Sequence, residues 1–178
     1  ALAVACALMA GKSGNPCKMR YDRDDDMIIT GKRHDFRIDY RVGFNHNGKI
    51  TGIEFEHFVR CGWSADLSIP IADRAMLHSD NAYFLSDVKI TSNKLLTNTQ
   101  SATAFRGFGG PQGMVGIEQV IDHIAQYLKK DALKVRELNF YKNPSKDHNN
   151  FQTTPYHMPI TDSIIRPLVK KLKLSADY

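Results

Sequence analysis

The clearest pattern of apolar and polar positions lies between residues 34 and 61. Phe36, Ile38, Tyr40, Val42 and Phe44 recur at every second position, and Ile53, Phe55, His57 and Val59 do the same. Period two is the side-chain repeat of a strand with one face packed and one face wet. Between the two runs stands Asn47-Gly48, a dipeptide that tolerates the positive φ of hairpin turns. The pattern predicts a long antiparallel hairpin over about 34–61, with His57 as a hydrogen-bonded core residue on its inner face.

The period changes after residue 110. Met114, Ile117, Ile121, Ile124 and Leu128 fall at helical spacing, with Pro111 suited to a first turn. Asp131 is placed to cap a second helix reaching about Tyr141. The apolar run Ala1–Ala10 reads as a buried helix ended by Gly11 and the Ser13-Gly14-Asn15-Pro16 turn. Cys17, Met19 and Tyr21 alternate with polar residues as a half-buried strand would, and Val88–Leu96 reads as another strand. Ile71–Ser79 fits either a helix or a buried irregular segment. Residues 143–159 are polar and Pro-bearing, hence a loop, and a last helix starts at Thr161 or Asp162 and runs to about Leu174. These elements predict an α+β fold, an antiparallel sheet with helices packed against it.

Composition narrows the class without naming a function. A chain of 178 residues is long enough for one domain with its own core. The run Ala1–Ala10 lacks a basic flank and a cleavage pattern, so a signal peptide is not expected, and no run approaches a membrane span. The chain opens inside that run without Met and reads as a piece of a longer protein, residues 1–178 forming a single fragment of one domain. The net charge of +5 is scattered rather than gathered into a stripe, which argues against nucleic-acid binding. Cys6, Cys17 and Cys61 form no Cys-x-x-Cys pair, consistent with a reducing cytoplasm and with no iron–sulfur ligand set in this segment.

Several motifs can be set aside. Asp22–Asp26 would need Gly at the sixth and Glu at the twelfth position of a calcium loop, where Met27 and Arg33 stand. It reads as a solvated or salt-bridged acidic turn. The histidines show no paired metal-ligand spacing, and no metal-binding side chain is expected. Arg106-Gly107-Phe108-Gly109 matches the start of an RNA-binding strand motif, but Gly110-Pro111 ends any strand there.

The segment of greatest chemical interest is Ala102–Gly113, in which glycines surround Phe105, Phe108 and Arg106 just before a helix. Glycine permits close backbone approach, and helix-initial N–H groups favour electron-rich partners. Thr103-Ala104-Phe105-Arg106-Gly107-Phe108-Gly109-Gly110-Pro111-Gln112-Gly113 resembles the signature of the molybdenum-binding subunit of the xanthine dehydrogenase family. Tyr21–Met27, Thr30-Gly31-Lys32-Arg33-His34, Asp73–Tyr83 and Arg136–Tyr141 resemble further family segments in the same order. Taken alone, Arg74 reads as a structural arginine paired with Asp73 or Asp80, and Phe108 as a core aromatic.

The resemblance implies a different assignment. Arg74 would be the catalytic arginine that hydrogen-bonds a purine carbonyl oxygen, and Phe108 the ring that stacks on the substrate. Ala104, Phe105, Arg106 and Gly107 would form part of the molybdenum–molybdopterin cofactor site, with Gln112 a weaker candidate. Arginine at position 74 and glycine at position 110 follow the xanthine-type rather than the aldehyde oxidase pattern. The implied reaction is oxidative hydroxylation of hypoxanthine and xanthine to urate with water as the oxygen source. Electrons would leave through 2Fe-2S clusters and FAD to NAD on other parts of a cytoplasmic, oligomeric enzyme. The family's general-base glutamate and a second substrate-contacting carboxylate are expected outside these residues, so the fragment alone is expected to be inactive and free of molybdenum. The alternatives are a non-catalytic interaction module of the same fold, or an aldehyde oxidase-type hydroxylase of another heterocycle.

Overall fold

The computed structural model describes residues 2–143 and 151–178. Its centre is the expected hairpin, β1 (Phe36–Phe44) and β2 (Ile50–Gly62), paired antiparallel from Phe36↔Val59 to Phe44↔Ile50. The turn is a looped one. Asn45 Oδ1 accepts from the Asn47 and Lys49 N–H groups, and Gly48 takes φ +95°. Alternate residues of β2, from Ile53 through Cys61, are buried, so period two reports the packed face faithfully.

Among the described residues, six helices accompany the sheet: α1 (Leu2–Ser13), α2 (Arg23–Ile29), α3 (Ser68–Leu77), α4 (Gly110–Leu128), α5 (Ala132–Asn139) and α6 (Ile165–Ser175). The third strand, β3 (Val88–Leu96), lies on the far side of β2 and runs parallel to it, so the sheet is mixed rather than antiparallel. A parallel neighbour requires a long crossover, and residues 63–87, carrying α3, provide it. The α+β class holds, and the segment 71–79 resolves as helix through Leu77, with His78 and Ser79 in the turn that follows.

The core joins the inner face of the hairpin to α4 through Ile50, Ile53, Phe55, Ile117, Val120, Ile121 and Ile124. Asn139, fully buried at the end of α5, ties that helix to the hairpin. Its amide donates to the Gly48 and Val135 carbonyls, and its oxygen accepts from Ile50 N, each at 2.9 Å. Asp131 caps α5 as expected, accepting from Lys134 N.

Four expectations are corrected. Residues 17–22 form no strand; all but the half-buried Tyr21 are exposed, and Asp22 instead caps α2 by accepting from Asp25 N at 2.8 Å. The acidic run is thus the first turn of a helix, where negative charge suits the dipole, and Asp26 pairs with Lys32 at 3.0 Å. Helix α1 exists but has no buried residue, with Val4, Leu8 and Met9 all more than half exposed. His57 is buried, yet neither ring nitrogen has a hydrogen-bond partner among the described residues. Phe36 and Phe55 flank it, each with ring centroids 6.0 Å away, and burial pushes its pKa down to about 4. Helix α6 begins three residues beyond Asp162, and residues 144–150 of the predicted loop lie outside the described residues.

Candidate functional site

The glycine loop connects the end of β3 to α4 and is fixed at both sides. Upstream, Ala102 N donates to Cys61 O at 2.9 Å, and Ser101 Oγ meets Ser64 Oγ at 2.6 Å. A Cβ on Gly62, at φ +86°, would overlap the Gln100 and Ser101 backbone. Only glycine lets β2 and this loop touch.

Downstream, the chain makes three consecutive left-handed residues: Gly107 (φ +96°), Phe108 (φ +49°) and Gly109 (φ +91°). Phe108 N closes a turn onto Phe105 O at 2.8 Å, and Gly110 N onto Gly107 O at 3.0 Å. An aromatic residue at positive φ costs on the order of 1–3 kcal/mol, and such strain gathers at functional sites. The loop leaves Phe105 and Arg106 exposed and Ala104 and Phe108 half-buried.

The start of α4 packs on α3 backbone to backbone. A Cβ at Gly109 would overlap the Ile71 carbonyl oxygen, and one at Gly113 would overlap the Ala75 carbonyl oxygen. The two contacts are four residues apart on both helices, so a single crossing brings α3 against the loop. Arg74 lies within that crossing. A Cβ at Gly110 would sit 3.9 Å from Arg74 Nε and 3.4 Å from His78 Cδ2. Neither structural partner offered for Arg74 is taken: Asp73 pairs with Lys94 at 3.2 Å, and buried Asp80 accepts from Tyr141 Oη at 2.6 Å. The Arg74 side chain is exposed and makes no ion pair or hydrogen bond among the described residues.

Arg74 and the Phe108–Gly110 stretch are therefore brought to one junction, with Phe105 and Arg106 on the same loop. Gln112 turns away from them, donating to His34 O at 3.2 Å. A cleft of about 380 Å³ opens between β1 and α4, lined by Arg33, Phe36, Ile38, Pro111, Gln112 and Val115. It does not include Arg74 or Phe108.

One residue without an assigned role in the sequence stands out. Arg33 Nη2 donates to the Arg106 carbonyl at 2.6 Å, and its guanidinium lies 4.5 Å from the Phe105 ring centroid. The signal was present in Thr30-Gly31-Lys32-Arg33-His34, but nothing in that string says which loop it touches.

Comparison with known proteins follows the same residues. The family model described as molybdopterin cofactor-binding domain matches residues 1–140. The chain belongs to that family. Xanthine dehydrogenase of Drosophila subobscura is 42% identical over 159 residues, 89% of this chain and 12% of that protein. Xanthine dehydrogenase 1 of Arabidopsis thaliana is 40% identical over 177 residues, 99% of this chain and again 12% of that protein. The chain thus spans about an eighth of these relatives, and its resemblance to xanthine dehydrogenases runs over most of its residues. Among solved structures, aldehyde oxidoreductase from Desulfovibrio gigas superposes with a TM-score of 0.80 at 23% identity, covering 95% of this chain and 18% of that one. That likeness concerns the fold. No helix of the described residues is long and apolar enough to cross a membrane.

The loop fits a molybdopterin cofactor on its own geometry. Residues Phe105–Gly107 are exposed, and among the described residues the Arg106 side chain has no polar partner, nor has the buried Nη1 of the adjoining Arg33.

Proposed function

We propose that this chain is part of a xanthine dehydrogenase-type molybdenum hydroxylase, which converts hypoxanthine and xanthine to urate with water as the oxygen source. The observation that carries the reading is the meeting of Arg74, unpaired among the described residues, with the strained Phe108–Gly110 turn at the α3–α4 crossing, in a molybdopterin-binding family member.

The bound cofactor supplies the two-electron oxidation and the delivery of a water-derived oxygen. Ala104, Phe105, Arg106 and Gly107 hold it. Phe108 offers a flat surface to the purine, and offset stacking contributes about 0.5–1.5 kcal/mol beyond the area buried. Substitution at a purine carbon pushes negative charge onto the ring and its carbonyl oxygen. A guanidinium that meets that oxygen in the bound complex stabilises the charge as it grows, which lowers the barrier rather than merely tightening binding. Arg74 is suited to this because its guanidinium makes no ion pair among the described residues, Asp73 pairing with Lys94 instead.

Residues 1–178 form one piece of the cofactor-binding domain on this reading. The missing general base, the rest of the molybdenum subunit, and the parts carrying 2Fe-2S clusters, FAD and the NAD site complete a cytoplasmic oligomer. The bare apolar surfaces of α1 and of Met27, Ile28 and Ile29 on α2 support a large neighbouring body. The test is urate formation from xanthine by the intact enzyme, measured beside its oxidation of simple aldehydes. Xanthine as the preferred substrate supports the proposal; aldehyde oxidation without urate overturns it.

A further inference from the structure

We infer that Arg33 is a positioning residue for the cofactor wall, setting the place of Phe105 and Arg106 from a second, separate segment of the chain. The inference rests on the reading of 104–107 as that wall. Segment 31–33 lies directly along residues 101–106. A Cβ on Gly31 would come within 2.7 Å of the Ser101 carbonyl oxygen and 2.8 Å of Thr103 Cγ2, so the approach requires glycine. Thr103 N then donates to Lys32 O at 2.9 Å. Lys32 is itself tethered to α2, its ammonium donating to the Asp26 carbonyl at 2.8 Å and pairing with the Asp26 carboxylate.

Arg33 completes the strap. Nη2 reaches the Arg106 carbonyl, the guanidinium covers the Phe105 ring, and Nη1 is buried without an acceptor among the described residues. Phe105 is 58% exposed, and among the described residues the Arg106 carbonyl accepts from no other donor. The two exposed residues of the wall are therefore held from outside the loop by this one side chain. Lysine cannot reproduce the arrangement, because an ammonium lacks the planar fork that donates with one arm while stacking on a ring. The unused Nη1 arm leaves a donor for an oxygen acceptor at the wall, since a buried N–H without a partner is costly.

The test uses the intact enzyme carrying Arg33→Met, Arg33→Lys, Phe105→Leu and the Arg33→Met/Phe105→Leu pair. Molybdenum loss during incubation is followed by metal analysis, alongside iron, FAD and the thermal midpoint. Arg33→Met is expected to lose molybdenum about tenfold faster than wild type, one lost charged contact, with iron, FAD and midpoint unchanged. Arg33→Lys should fall between, and Phe105→Leu should speed loss about threefold, the scale of an exposed cation–π contact. In the pair the Phe105 change should add nothing. Wild-type retention in Arg33→Met, loss in step with iron and midpoint, or independent effects in the pair overturns the inference. If Arg33→Met fails to fold, Phe105→Leu decides alone, and unchanged retention there refutes it. Wild-type enzyme without molybdenum would take down the underlying reading as well, whereas a molybdenum-bearing wild type with an equally retentive Arg33→Met removes this inference only.

Discussion

Gly113→Ala should be harmful although it is a helix-favouring change. Alanine in a helix interior gains about 1 kcal/mol over glycine from propensity. At Gly113, however, the new methyl would overlap the Ala75 carbonyl oxygen and stand 3.3 Å from the His78 carbonyl carbon. Both neighbours are backbone, so no side chain can swing aside. Restoring an ordinary carbon–oxygen contact needs α3 and α4 to part by about 1 Å. Overpacking of this kind costs about 1–3 kcal/mol, so at the middle of that range about 1 kcal/mol is lost net of the propensity gain. The same movement displaces Arg74 from the Phe108–Gly110 turn, and a misplacement of about 1 Å can lower turnover by about 100-fold. Two controls separate propensity from clash. At Gly116 the methyl would meet only the Ile38 side chain, 3.0 Å from Cδ1 and 3.5 Å from Cγ2, and at Gly11 nothing lies within 4 Å. Gly116→Ala should be neutral to within about 0.5 kcal/mol, and Gly11→Ala mildly stabilising. Urea denaturation gives the stabilities, and kcat/KM of the intact enzyme gives the functional effect. If Gly113→Ala matches Gly116→Ala in both, the α3–α4 crossing does not position the site.

Two further outcomes follow from buried polar groups. His57 has a folded pKa near 4 against 6.5 in its ordinary state, so the unfolded chain binds its proton first as the pH falls. Stability should be full above pH 6.5 and decline down to about pH 4 by about 3 kcal/mol. His57→Phe should flatten that part of the urea-midpoint profile, and a flat wild-type profile would contradict the reasoning. Asn139→Ala strands the Ile50 N–H and the Gly48 carbonyl, with an expected cost of about 3 kcal/mol in urea unfolding; a loss below about 1 kcal/mol would show that water replaces the amide.

The hairpin and α4 were legible because their burial is one-sided and periodic, so Ile53, Phe55, Ile117 and Ile121 announce their own faces. The parallel placement of β3 was not, since the alternation of Val88–Leu96 says nothing about which edge it joins or in which direction. Residues 17–22 alternate without being buried and form no strand, whereas Ala1–Ala10 gives a helix from Leu2 as expected but one without a buried residue, so one pattern misled about the element and the other about its burial. His57 read as a bonded core histidine because the sequence reports burial and not the absence of a donor or acceptor nearby. For the site, the glycine string and Arg74 were visible as residue types. Their contact was not, because it depends on Gly109 and Gly113 admitting the α3 backbone. Arg33 had no legible role at all, its partner lying far along the chain.

The most direct measurement is xanthine turnover by the intact enzyme bearing Arg74→Met, with molybdenum content determined on the same sample. An arginine that stabilises charge on the substrate predicts a fall in kcat/KM of about 100-fold or more with molybdenum at the wild-type level. Turnover and molybdenum falling together, or turnover unchanged, would mean that Arg74 serves the fold and not the reaction.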